Sequence, residues 1–427
     1  MAATRALLSN GLPALLRPSL LYAVGVLIVA VIWTNCAAGR GAAAAATLVV
    51  TCPLFILLAS VANVDVADMF FILLAFSLIH RAMGAETPSA TRLVLAGACL
   101  GLAMLSRETS TFAVAAIGLL FLAGYGMRRG DFFLIGGGFV AVVGLETLYL
   151  RWLSGDMLYR DKIALNHDAT INRWLPQGAG VPLIHPLIDP IAMLLLNHNF
   201  GLLTWIGVPL TAWLIRRGTL NAGAKRFAIL TIVLAATWAL IAAAWSTELN
   251  LMPRYFMLPA VLVSMLAGVA LARLWQRGRY RLAAMLGVVL VVANVLCIWI
   301  DNHNYMYGEH ELSAIAARVT EPIRTDPTTL RRSDLLLQWQ GSANHVTDSP
   351  PSHGDLFYFN PAWPDAPKPG ADWTVVERHG LPPTIGQIVA RALLPTHMQS
   401  PSLMRELGRG APDVRLHRLP QRRTLCQ

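Results

Sequence analysis

Long apolar runs separated by short polar turns dominate the first 300 residues of the chain. Several of these runs approach the roughly 20 residues that an α-helix needs to cross a bilayer. We therefore predict an all-α polytopic membrane protein with about ten transmembrane helices. The ten predicted segments are residues 20–34, 42–62, 66–82, 93–105, 111–126, 132–153, 200–215, 227–245, 255–275 and 282–300.

The sequence becomes polar and proline-rich from Asp301 onward. Helix-like and strand-like patterns alternate there, which is typical of a small α/β domain. The chain is thus predicted to hold a multi-spanning transmembrane domain over residues 1–300 and a C-terminal α/β domain over residues 301–427. The predicted helices are residues 309–319, 328–339 and 384–394, and the predicted strands are residues 322–325, 355–359, 373–377 and 414–419.

The composition excludes an ordinary soluble protein, because 55% of the residues are hydrophobic and only 14% are charged. The net charge of +10 comes mostly from arginine. These arginines fall mainly in short loops, where they set membrane topology, so we expect no nucleic-acid partner. The five cysteines show neither metal-type spacing nor a disulfide framework.

The basic loops define one orientation in the membrane. Arg81, Arg92 and residues 128–129, 216–226 and 273–281 would all lie on the cytoplasmic side under the positive-inside rule. The loop at residues 154–190 and the C-terminal domain would then lie outside a bacterial inner (plasma) membrane. The N-terminus would lie outside as well, without a signal peptide, so we expect that one further span precedes Met1.

Two acids begin the third predicted segment. Asp65 and Asp68 are three residues apart, so on a helix they share one face. They could hold a divalent cation or position a hydroxyl group. Alternatively, they cap the helix and complement its dipole. We predict no certain cofactor, and a divalent cation stays open as an option.

Two further pairs of polar residues, each of which contains an arginine, interrupt the apolar sequence. Arg107 and Glu108 follow the fourth segment, and Arg254 and Tyr255 precede the ninth. An arginine at a membrane surface suits a phosphate group. The alternative for each pair is a loop charge that is neutralised by its own neighbours.

The polar loop after the sixth segment supplies secondary candidates for substrate binding. These are Tyr159, Arg160 and Lys162.

Three stretches of the sequence resemble a known family. They are residues 53–76, where Asn63-Val64-Asp65 leads into an apolar helix, residues 96–109, a small-residue helix that ends in a basic residue, and residues 253–259, which open with Pro-Arg-Tyr. They resemble the GT-C-fold glycosyltransferases of family 39 and its bacterial relatives, the protein O-mannosyltransferases and aminoarabinose transferases. Residues 308–309 and 325–327 are similar to the start of the extracytoplasmic domain in some bacterial members. The likeness covers residues 15 to about 330.

The resemblance implies that a sugar passes from a polyprenyl-phosphate donor to a hydroxyl of a lipid, glycan or protein acceptor on the extracytoplasmic face. Asp65 matches the family's acid at the head of a helix, and Asp68 joins it as a catalytic candidate. Arg107 takes the place of a basic residue near the donor phosphate. The alternative is a non-catalytic membrane protein that binds or translocates a lipid-linked glycan.

The sequence departs from the family pattern at its start. The family's first span and first outer loop, which carries the principal catalytic acid, have no counterpart after Met1. The expectation from this departure is either a shortened transferase or a non-catalytic relative.

Overall fold

The computed structural model describes residues 12–39, 41–60, 64–160, 162, 185–186, 188–217, 220–245, 251–300, 307–361, 367–408 and 413–420. These residues form two compact units, one up to residue 300 and the other from residue 307.

The first unit is built from α-helices joined by short turns. 3₁₀ turns at Glu108–Ser110, His198–Phe200 and Pro253–Phe256 and a π-helical turn at Leu203–Gly207 separate some of them. The helices are α1 Leu12–Ala38, α2 Gly41–Val50, α3 Pro53–Ala59, α4 Asp65–Ala82, α5 Ala90–Ser106, α6 Thr111–Leu122, α7 Arg129–Ser154, α8 Ile188–Leu196, α9 Val208–Arg217, α10 Ala222–Ala244, α11 Met257–Gln276 and α12 Tyr280–Ile300.

Within the described residues, five helical segments are long and apolar enough to cross a membrane. A sixth is obtained if the bent pair α2–α3 counts as one span. The predicted all-helical membrane architecture is confirmed, but the prediction of about ten spans is not. The five segments are Arg17–Ala37, Arg129–Ser154, Ala222–Ala244, Pro253–Gln276 and Tyr280–Ile298.

The second predicted span, residues 42–62, is broken in two. Helix α2 ends at Val50, α3 begins at Pro53, and their axes differ by 62°. The cause lies at Cys52, whose backbone is extended with ψ of 117°. A proline disfavours the helical conformation of the residue before it, and here the run does not continue as one helix.

Three other predicted spans correspond to helices that are too short to count among these five. The fourth and fifth correspond to α5 and α6, which are separated where Arg107 adopts an extended conformation (φ −160°, ψ 136°). The seventh is divided among irregular turns, and only α9, with 10 residues, is regular helix. Polar residues and irregular turns therefore interrupt stretches of the chain that hydropathy alone predicts to be continuous membrane spans.

Helices α5 and α7 touch through their backbones. A Cβ atom added at Gly97 would lie 1.9 Å from the Ile135 carbonyl oxygen, and one at Gly138 would lie 2.1 Å from the Val94 carbonyl oxygen. Small residues spaced in this way let membrane helices approach closely, because lipid provides little hydrophobic force to join them. This contact fixes the end of α5, where Arg107 follows.

Helix α11 is the central helix of the first unit. It contacts α2, α9, α10 and α12, and most of its residues are buried. Gly268 lies against the backbone of α2, since a Cβ added there would be 2.4 Å from the Ala45 Cα atom. The turn that precedes α11 carries Arg254 and Tyr255, so the central packing also positions these two side chains.

The second unit is an α/β domain with a five-stranded sheet. Its strands are β1 Ile323–Arg324, β2 Val346–Thr347, β3 Leu356–Phe359, β4 Thr374–His379 and β5 Val414–Arg418, arranged in the order β2-β1-β3-β5-β4. Strand β1 runs parallel to β2 and β3, whereas β5 runs antiparallel to β3 and β4. The helices are α13 Tyr307–Ala316, α14 Pro327–Trp339, α15 Ile385–Leu393 and α16 Pro401–Leu407.

Each helix and strand that the pattern predicted in this region corresponds to an observed element. The prediction missed β2 and α16. Strand β2 has only two residues, and α16 only seven, so neither is long enough to show a periodic pattern. The core of the domain joins Leu312 and Ile315 of α13 to Ile323 and Leu356 of the sheet.

Candidate active site

The ends of α4 and α5 meet through an ion pair. Asp65 is the first residue of α4, and Arg107 follows the last residue of α5. The Arg107 guanidinium contacts the Asp65 carboxylate, and the side chains are only 11% and 3% exposed, respectively. The structure thus brings together two candidates that lie 42 positions apart in the sequence.

Asp68 lies one helical turn beyond Asp65 and is also buried. The Ser110 hydroxyl donates a hydrogen bond to Asp68 Oδ1. The same hydroxyl is 2.7 Å from the Arg107 carbonyl oxygen. The 3₁₀ turn after Arg107 therefore covers both carboxylates at the start of α4.

Two arginines lie close to the Tyr255 ring. The Arg107 Cζ atom is 4.6 Å from the ring centroid, and the Arg254 Cζ atom is 5.3 Å from it. Arginine is attracted electrostatically to an aromatic face at such distances. The Trp238 Nε1–H donates to the Tyr255 carbonyl at 2.6 Å and holds the turn before α11 in place. Two guanidiniums around one ring suit a phosphate group.

Glu108 takes part in a second charged network. Arg160 Nε donates to Glu108 Oε1 at 2.8 Å, and Arg160 Nη1 donates to Glu146 Oε1 at 2.6 Å. Arg160 Nη2 also donates to the Met104 carbonyl oxygen. Arg160, which the sequence suggested only as a secondary candidate, thereby links α5, α7 and the turn that holds Glu108.

The structure does not bring the other two secondary candidates, Tyr159 and Lys162, into the group of contacts around Asp65, Arg107 and Arg160. The Tyr159 side chain is 45% exposed. Lys162 pairs instead with Asp156, with Nζ and Oδ2 2.5 Å apart. Asn63, which leads into the Asp65 motif, lies outside the described residues, as does the whole segment 163–184 of the predicted polar loop.

Sequence analysis missed three residues of the cluster, Ser110, Glu146 and Trp238. Glu146 is an acid inside a predicted span, and an ionisable residue in such a place is itself a functional signal. Ser110 follows Arg107 by three residues and gives no comparable signal. Trp238 lies in an apolar helix, where a tryptophan is ordinary.

The predicted divalent cation remains a prediction. In the described ranges, no three side chains among His, Cys, Asp and Glu come together as a metal site. Asp65 is paired with Arg107, so any cation at this position would have to displace a guanidinium.

Comparison with known proteins gives a family match that includes part of the candidate site. Residues 2–146 match the family model described as dolichyl-phosphate-mannose-protein mannosyltransferase. This match covers about a third of the chain and includes Asp65, Asp68 and Arg107. A search of curated proteins gave no significant match.

Two solved structures of ArnT from Cupriavidus metallidurans resemble most of the chain. The structure with undecaprenyl phosphate bound has a TM-score of 0.52 at 12% identity, covering 97% of this chain and 86% of ArnT. The chain has the GT-C fold. The apo structure gives a TM-score of 0.53 at 14% identity over 84% of this chain and 81% of ArnT. The resemblance predicted from the sequence is therefore confirmed at the level of fold.

Proposed function

We propose that this protein is a membrane glycosyltransferase that transfers a sugar from a polyprenyl-phosphate donor to an acceptor hydroxyl. The acceptor is a lipid, a glycan or a protein. One observation carries the proposal: the segment that matches the mannosyltransferase family supplies both partners of the buried Asp65–Arg107 pair. The ArnT structure similar to this chain holds undecaprenyl phosphate, a donor-type lipid.

In this reaction one bond forms and one bond breaks at the anomeric carbon of the sugar. The acceptor oxygen attacks the anomeric carbon, and the bond between that carbon and the phosphate oxygen breaks. The proton of the acceptor hydroxyl passes to a carboxylate, which acts as general base. The lipid phosphate leaves with the bonding electron pair, and positive groups stabilise its charge.

The side chains of the cluster suit these roles. Arg107 and Arg254, whose guanidiniums both lie close to the Tyr255 ring, are the candidates for binding the donor phosphate. Asp68 is the candidate base, because its partner is the neutral hydroxyl of Ser110, which an acceptor hydroxyl could replace. Asp65 orients Arg107 and is the second candidate. Both carboxylates are buried, so the substrates must displace the side chains that cover them.

The chain is a multi-pass membrane protein. Our proposal for its topology places the Asp65–Arg107 cluster and the C-terminal α/β domain on the extracytoplasmic face of the inner membrane. The support is the distribution of arginine over short loops, which the positive-inside rule assigns to the cytoplasm.

The proposal is tested with the full chain purified in detergent and incubated with radiolabelled undecaprenyl-phosphate mannose and a bacterial membrane extract, which supplies lipid, glycan and protein hydroxyls as acceptors. Donor retained by the protein and label released from the lipid are measured separately. We expect the wild-type chain to bind the donor and release label, and Asp68→Asn to bind the donor with release reduced by at least about 100-fold. Arg279→Gln, in an exposed basic turn outside the cluster, is the matched control.

The two readouts separate the alternatives. Binding of several polyprenyl-phosphate sugars without release of any label would support the non-catalytic alternative. Absence of donor binding in a well-folded chain would refute the proposal itself. Mannose is the first probe because the matching family model names it.

A further inference from the structure

A polar cavity lies at the end of α4 that is remote from the Asp65–Arg107 cluster. His80 is fifteen residues along α4 from Asp65, which corresponds to about 22 Å in a regular helix. The cavity has a volume of about 340 Å³, within the usual range for small-ligand sites. Its lining includes His80, Arg81, Gly84, Arg92, Gly223 and Arg226.

Three arginines from three different helices surround this cavity. Arg81 is in the last turn of α4, Arg92 in the first turn of α5, and Arg226 near the start of α10. Among the residues that the structure describes, those that line the cavity include no aspartate or glutamate. Like charges gathered in this way repel one another unless an anion lies between them.

Arg226 gives an independent sign that a ligand is missing. Its Nε atom is buried and has no hydrogen-bond partner among the described residues. A buried donor without a partner costs free energy, so such groups are normally satisfied by protein, water or a bound ion.

The backbone around the cavity also favours an anion. Asn221 caps α10 by accepting a hydrogen bond from the Ala224 N–H at 2.8 Å, so the positive end of this helix faces the same region. His80 Nε2 is 3.0 Å from the Gly223 carbonyl oxygen, which joins the start of α10 to the end of α4. Gly84 leaves room for the Arg226 guanidinium, since an added Cβ would be 3.1 Å from Nη2.

We propose that this cavity is a phosphate-binding site. The planar guanidinium groups match the oxygens of a phosphate monoester or diester, which they bind by paired hydrogen bonds. The phosphate belongs either to an anionic lipid headgroup or to a free phosphate compound. The site is separate from the proposed transfer reaction and does not depend on it.

The test uses the full chain in an uncharged detergent, with phosphatidylglycerol and inorganic phosphate as probes. Retention of phosphatidylglycerol is measured by native mass spectrometry, and inorganic phosphate is added as a competitor. We expect Arg226→Gln to weaken retention about tenfold or more, because a charge-assisted hydrogen bond is lost. Arg279→Gln removes the same charge from another basic turn and should change retention less than about twofold.

A third variant separates a built site from general attraction between charges. Gly84→Val keeps all three arginines but places side-chain atoms where the Arg226 guanidinium lies. Gly84 is exposed, so this variant should fold. We expect it to weaken retention several-fold, on the order of one lost hydrogen bond.

The outcomes are distinct. Retention of phosphatidylglycerol that inorganic phosphate does not displace identifies a lipid headgroup, whereas displacement identifies a site for free phosphate. Equal losses in Arg226→Gln and Arg279→Gln, or wild-type retention by Gly84→Val, would overturn the proposal. Failure of the folded wild-type chain to bind either probe would overturn it as well.

Discussion

The ion pair between Arg107 and Asp65 offers the sharpest test of the candidate site. Arg107→Ala would leave the Asp65 carboxylate buried without its cation. Removing one partner of a buried pair typically costs about 3–5 kcal/mol. We therefore expect Arg107→Ala to lower the free energy of unfolding by this amount.

A double variant separates the structural contribution of Arg107 from its function. In Asp65→Asn with Arg107→Ala, the buried charge is gone, so most of the lost stability should return. Donor binding should not return if Arg107 contacts the lipid phosphate. We expect both the single and the double variant to bind polyprenyl-phosphate mannose more than about fivefold more weakly than the wild type.

Thermal unfolding in detergent measures the first effect, and retention of radiolabelled donor measures the second. A destabilisation of this size corresponds to a lower Tm by roughly 3–6 °C in a protein of this length. A single variant with an unchanged Tm would refute the buried ion pair. A stable double variant that binds the donor as tightly as the wild type would show that Arg107 has only a structural role.

Further predictions concern helix packing, the second charged network and the C-terminal domain. Gly97→Val should destabilise the α5–α7 contact by several kcal/mol, because its Cβ would collide with a backbone carbonyl. Gly137 has open space around it, so the control variant Gly137→Ala should not lower Tm. Arg160→Gln should cost about 1–3 kcal/mol by leaving Glu146 without its partner, and limited proteolysis should then cut residues 155–162 faster. Burial, together with the nearby Arg415, lowers the pKa of His417 in the folded domain. The unfolded chain therefore takes up a proton at His417 more readily than the folded domain does, so the free energy of unfolding should fall as pH drops below about 6.5. Hydrogen exchange of β3 and β5 measures this loss of stability, and the loss should be smaller in His417→Gln.

The sequence determined most of the secondary structure in both units. Long apolar runs predicted α1, α7, α10, α11 and α12, because a helix satisfies its own backbone hydrogen bonds and needs only apolar side chains to enter lipid. The bend between α2 and α3 was also predictable, since Pro53 disfavours a helical residue before it. The prediction of a single span there gave hydropathy more weight than backbone geometry.

The sequence also located the charged residues of the candidate site. Asp65 and Arg107 stand out because charges are rare in apolar sequence, and a hairpin of α4 and α5 places them at the same end. Their assignment as catalytic and donor-binding residues, like that of Asp68, Glu108 and Arg254, stays a prediction.

Only the tertiary structure decided which side chains meet. The pairing of Arg107 with Asp65, the contact of Arg107 with the Tyr255 ring and the bridge from Arg160 to Glu108 join residues that are far apart in the chain. Such contacts depend on how closely helices approach, and in α5 and α7 this is set by glycines on the facing surfaces. A local pattern specifies the helix and its faces, whereas the choice of partner depends on the packing of the whole unit.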